Sequence, residues 1–87
     1  MSNADVVGYI AGAITTFTFL PQVIKTWKEN SAKDISILMF VIAAVNEILW
    51  IIYGVMEDSL VIILTNAILL CMALLMITFK LRFDKNG

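Results

Sequence analysis

Few residues in this chain can do chemistry, and most of them sit where polar groups are rarely found. Asn46, Glu47, Trp50, Tyr53 and Asn66 all lie within long apolar stretches, and the chain has no histidine and a single cysteine, Cys71. A carboxylate near a bilayer midplane costs at least about 2.5 kcal/mol to insert, so such a group either serves a function or is neutralised. One acid without a histidine, a metal-ligand set or a nucleophile–base pair makes no catalytic constellation, which leaves an enzyme the least favoured class. Intramolecular disulfides and Cys/His zinc sites are excluded, and no cofactor or metal is expected. Recognition is the chemistry that remains. An indole face offers flat apolar area to C–H groups, and a carboxamide both donates to and accepts from hydroxyls.

Hydropathy defines the elements that must position these groups. Of 87 residues, 61% are hydrophobic and 15% charged, and the mean hydropathy is +0.94. A soluble domain usually carries about a quarter charged residues and roughly half apolar ones. Three apolar blocks stand out, residues 6–24, 35–56 and 60–79, and the only charge inside them is Glu47. At 1.5 Å per residue each block spans roughly 30 Å, the thickness of the hydrocarbon core. Continuous apolar character without period-two alternation argues against barrel strands. The expectation is an all-α membrane protein of three transmembrane helices, one domain over residues 1–87. No basic residue precedes the first block and no small-residue cleavage motif follows it, which disfavours a signal peptide.

The charges orient these helices. Lys25, Lys28 and Lys33 fall in the first connection, and Lys80, Arg82 and Lys85 in the C-terminal tail. The opposite ends carry only Asp5, Glu57 and Asp58. The positive-inside rule places the N-terminus outside, and the first connection and C-terminus in the cytoplasm. The chain is expected to be a multi-pass membrane protein. The basic segments can touch anionic lipid, but the orientation bias already accounts for them. Nothing suggests a nucleic-acid partner.

Small residues and a proline mark the first helix. Gly8-x-x-x-Gly12, continued by Thr16, permits close helix contact in lipid, either inside one protomer or across a dimer. Pro21 has no N–H and its ring displaces the Phe17 carbonyl, so the helix is expected to bend there, with Thr15, Thr16 and Thr18 back-bonding to freed carbonyls. The bend is either a static kink or, with Gln22, a hinge for opening one end of the bundle.

Trp50 and Asn66 form the most informative pair. Trp50 lies six residues before the end of its block at Met56 and Asn66 six after the start of its block at Leu60, so both sit about 9 Å below the outer hydrocarbon boundary. Tryptophan prefers the interface, so one at this depth packs against a neighbouring helix or meets a ligand. An amide in lipid needs a partner on another helix or in a cavity. Met39, Ala43, Asn46, Trp50, Tyr53 and Glu57 recur at spacings of three and four, one face of the second helix. That stripe is either core or the wall of a path narrowed at both ends. Glu47 lies roughly 60° round the helix from Trp50, at the edge of the stripe. It is expected to stay neutral at rest, though it could also serve as a cation counter-ion or proton carrier.

One three-helix bundle has no room for a solute path along its axis, whereas two facing bundles can enclose one. Many transporters place parallel repeats about an axis along the membrane normal. A chain of fixed orientation builds that arrangement only as a symmetric dimer.

Taken together, TTFTFLPQVIKTW with Pro21-Gln22, Lys33-Asp34-Ile35-Ser36, LWIIYG with Trp50, Tyr53 and Gly54, and LVIILTN ending in Asn66 resemble the SemiSWEET family. These are bacterial half-size relatives of SWEET sugar transporters, within the PQ-loop superfamily. The resemblance covers essentially the whole chain. It implies a parallel homodimer of three-helix bundles (3+3 helices) working as a sugar uniporter by alternating access. Trp50 and Asn66 match the sugar-contacting pair, with Asn46 a further candidate contact one turn from Trp50. Pro21 matches the hinge and Tyr53 the outer gate, and Met39 looks like part of the inner constriction. One departure is plain. The family often has an arginine after the gate tyrosine, paired with an aspartate, where this chain reads Glu57-Asp58-Ser59.

The expected function is transport of small neutral mono- or disaccharides, with the chain itself, a sugar and membrane lipid as partners. Two alternatives stand beside it: a proton-coupled transporter of cations or amino acids using Glu47, and a small assembly subunit docking a larger membrane partner. Cys71, among apolar residues, is expected to be inert packing.

Overall fold

Hydrocarbon offers no hydrogen-bond partner to bare backbone, so a chain this apolar satisfies its amides within helices. The computed structural model of the chain describes residues 2–83 and contains three: α1 (Asn3–Glu29), α2 (Ile37–Met56) and α3 (Leu60–Phe83). Each is long and apolar enough to cross a membrane. Lys85, counted among the basic tail residues, lies outside the described residues.

The helices outrun two of the apolar blocks because hydropathy ends where hydrocarbon ends, not where helix propensity ends. At the start of α1, Ser2 Oγ accepts from the Asp5 N–H at 3.0 Å and the Asp5 carboxylate accepts from the Ser2 N–H, a reciprocal cap. The KTWKE segment continues α1 until Asn30 turns left-handed at φ 50° and its N–H donates to the Trp27 carbonyl. Ser36 caps α2 by accepting from the Met39 N–H at 3.2 Å, which moves its start two residues past the block. Between α2 and α3, Asp58 takes φ 51° and the Ser59 N–H donates to the Gly54 carbonyl at 2.8 Å. Lys80 and Arg82 then extend α3, where cations suit the negative helix end.

α3 is the spine. It packs against both α2 and α1, while α1 and α2 make no close backbone approach to one another. α1 and α3 run parallel, with Gly8 against Val61 and Gly12 against Thr65. The Gly8–Gly12 seam therefore packs inside the protomer, the first of the two readings its spacing allowed. On the other side Gly54 meets Ile62 and Ile63, where an added Cβ would stand 3.0 Å from either side chain. The result is a shallow body of 48 × 22 × 13 Å.

Its core lies toward the basic end, where Val23, Phe40, Ala44, Met72, Ala73 and Met76 form one buried cluster. There the Lys80 ammonium donates to the buried Ala32 carbonyl at 3.0 Å, fastening the α1–α2 connection to α3. Most other large apolar side chains, Ile14, Phe17, Leu38 and Met56 among them, point outward as a hydrocarbon solvent allows.

The threonines do not serve Pro21. Thr15, Thr16 and Thr18 donate to the carbonyls of Ala11, Gly12 and Ile14. A helical hydroxyl reaches back three or four residues, so bonding the Phe17 carbonyl requires one at position 20 or 21, where Leu20 and Pro21 stand. The α-helix nonetheless runs unbroken through Pro21.

A leucine at Gly12 should wedge α1 off α3. Gly12→Leu is expected to lose about 1–3 kcal/mol, an overpacking penalty, read as a lower denaturation midpoint in detergent by circular dichroism. An unchanged midpoint would show that the seam carries no packing.

Candidate functional site

The stripe on α2 is not core. Trp50 is 46% exposed and Tyr53 49%, and Asn46 is exposed beside them. With Leu49 these residues line a shallow cavity of about 230 Å³ that no other helix of the chain helps to form. The Tyr53 ring meets Trp50 edge-on, centroids 5.4 Å apart, which steadies the indole without covering it. Leu49 carried no sequence signal of its own, lying between residues that the stripe selects.

Asn66 sits on α3, half-buried. Its Nδ2 donates to the Ile62 carbonyl at 2.9 Å. A carbonyl can only accept, so this bond fixes the amide orientation and leaves Oδ1 and the second N–H for another partner. The contact of Gly54 with Ile62 and Ile63 sets the register of the α2–α3 hairpin. Four residues back along α2 and four onward along α3 bring Trp50 and Asn66 to one level.

The lower part of the stripe has different surroundings. Met39 and Ala43 lie on the wall of a second cavity, about 240 Å³, enclosed by α1, α2 and α3 toward the basic end. It lies where α1 and α2, which make no close backbone approach to each other, stand apart over α3. Its lining is almost wholly apolar. Gln22, placed by sequence at the hinge, stands on this wall, whereas Pro21 is exposed on the α1 surface.

Glu47 is placed differently from its expected position at the stripe's edge. It is 8% exposed and faces the inner cavity, not the Trp50 groove. Asn46, the residue before it, lies on the open groove face instead. The physical reason is angular: a 60° step round α2 crosses from the open face to the face turned toward α3.

At the acidic end, Glu57, Asp58 and Ser59 form the tight turn itself, and the Glu57 N–H donates to the Tyr53 carbonyl at 3.0 Å. Tyr53 therefore has its backbone tied to the turn and its ring to Trp50. Cys71 is exposed on α3 rather than packed.

Comparison with known proteins gives this geometry a context. A family model described as PQ loop repeat matches residues 4–63. The sugar transporter SemiSWEET of Leptospira biflexa is 34% identical over 77 residues, covering 88% of this chain and 91% of that protein. This chain belongs to the SemiSWEET family. The SemiSWEET of Bradyrhizobium diazoefficiens is 36% identical, over 88% of this chain and 90% of its own. A crystal structure of a bacterial homologue of SWEET transporters superposes on it with a TM-score of 0.88 at 40% identity, covering 94% of this chain and 99% of that one. The all-α, three-span architecture inferred from hydropathy is thus the SemiSWEET fold. This SemiSWEET is a multi-pass protein of a bacterial membrane, and its family consists of transporters, not enzymes.

Glu47 tests whether the buried acid is structural. Glu47→Leu is expected to fold at least as stably as the parent, an apolar group replacing a carboxyl at depth. A loss of about 2 kcal/mol or more in detergent denaturation would instead reveal a structural bond.

Proposed function

We propose that this SemiSWEET assembles as a parallel homodimer and carries small neutral mono- or disaccharides across the bacterial inner membrane as a uniporter, by alternating access. One observation carries the reading: Trp50, Asn46 and Tyr53 form an open groove on a face that the chain leaves uncovered. Two-fold symmetry would set two such faces opposite each other. The indoles then supply flat apolar area to sugar rings, and each Asn66 Oδ1 accepts from a hydroxyl.

The other assignments belong to the same proposal. The N-terminus lies outside and the basic end in the cytoplasm. Pro21 and Gln22 act as the hinge, because the missing amide bond lets α1 flex without further loss of hydrogen bonds. Tyr53, braced by the Glu57 turn, closes the outer end without an Arg–Asp pair, and Met39 narrows the inner one. Glu47 faces away from the solute groove, which supports uniport over proton coupling. The named function of the relatives supports sugar as the substrate class.

Uptake of radiolabelled glucose and sucrose into proteoliposomes tests this. Trp50→Ala should reduce uptake at least about fivefold, from the loss of roughly 1 kcal/mol of ring-face contact. Because Trp50 is exposed, helix content should be unchanged. Asn66→Leu, which keeps the volume and removes the acceptor, should lose uptake more severely. Uptake should not respond to an imposed proton gradient. Unaltered flux in both variants, or an obligate dependence on the gradient, defeats the proposal. A purified protein that remains monomeric would favour an assembly subunit.

A further inference from the structure

The inner cavity does not share a lining residue with the Trp50 groove, though its wall includes Met39 and Gln22, the proposed inner constriction and hinge. Its wall combines three things rarely found together within a membrane helix bundle: a buried carboxyl, aromatic rings, and almost no other polarity. Glu47, 8% exposed, is the one ionisable residue lining it among the described residues. From α1 the only polar side chain on the wall is Gln22, and α3 contributes none. Phe19 and Phe40 stand on the same wall, with Met72 and Met76 on the α3 side. No Lys or Arg lies in any of the three apolar blocks to neutralise the acid.

A buried charge in such surroundings is paired, coordinated or lost. A small inorganic cation finds too few oxygens here, because hard cations take six or more oxygen ligands and the cavity offers one carboxyl and one amide. An organic ammonium fits better. Its charge is diffuse, it asks for little hydration, and aromatic faces attract it. Size narrows the choice further. At about 240 Å³ the space falls below the roughly 300–1,000 Å³ of sites for drug-sized ligands. Phe19, Gln22 and Met39 are exposed while Val23, Phe40 and Met76 are buried, so the cavity has an entrance on the α1–α2 side.

We propose that the cavity binds compact hydrophobic ammonium ions, with the Glu47 carboxylate as counter-ion and the Phe19 and Phe40 rings against the apolar body. The inference does not rest on sugar transport. It requires only the packing of one protomer.

Binding of radiolabelled benzyltrimethylammonium to the purified full-length protein in detergent tests it. Saturable binding is expected in the parent, with Glu47→Gln weakening it at least tenfold. Ala43→Phe fills the cavity while keeping the acid and should abolish binding, so the result does not depend on one variant folding. Trp50→Ala should bind the ion as the parent does, and excess glucose or sucrose should not displace it. The proposal fails if the parent shows no saturable binding or if Glu47→Gln binds equally well. Loss of binding in Trp50→Ala, or displacement by sugar, would also overturn it by placing the ion in the outer groove. Failure here leaves the uptake experiments untouched, since those read Trp50 and Asn66 rather than Glu47.

Discussion

Close approach of glycine-bearing helices to α3 is the contact on which this protein depends. In hydrocarbon there is no hydrophobic drive to press helices together, because lipid tails are as apolar as leucine. Dispersion over short backbone distances has to serve instead. Gly8 and Gly12 let α1 lie against Val61 and Thr65, and Gly54 lets α2 lie against Ile62 and Ile63. Both neighbours therefore attach to one helix. α3 becomes the middle of the protomer, although it comes last in sequence.

Two consequences follow from having a central third helix. First, α1 and α2 are held apart, and the space between them over α3 is filled only toward the basic end, by the Val23–Phe40–Met76 cluster. The inner cavity is what that filling leaves. Second, α2 is packed on one side only. The side turned to α3 buries Ala44, Glu47 and Gly54, and the other side presents Asn46, Trp50 and Tyr53 to whatever lies beyond the chain. Trp50 and Glu47, about 60° apart round α2, are thus sorted into two environments.

Much of the architecture was legible beforehand, because bilayer thickness converts composition directly into helix count. The three apolar blocks each became a helix, and the PQ segment, the LWIIYG run and Asn66 pointed to the right family. Helix ends were less legible. The Ser2–Asp5 cap and the KTWKE extension are governed by local hydrogen bonding and propensity, to which hydropathy is blind. The threonines before Pro21 misled for a geometric reason, since a hydroxyl reaches back along the helix and these three sit too early to meet the Phe17 carbonyl. The Lys80–Ala32 bond joins residues 48 positions apart and has no periodic trace.

Composition and spacing alone were enough for the number of helices, their apolar character and the family, because each is written along the chain. Which way the side chains face was settled by the folded packing. Direction around a helix acquires meaning once its neighbours are placed, and those neighbours are chosen by the glycine contacts with α3. That choice left Trp50 open, tied one end of the Asn66 amide to the Ile62 carbonyl, and turned Glu47 into a cavity that hydropathy alone does not foresee.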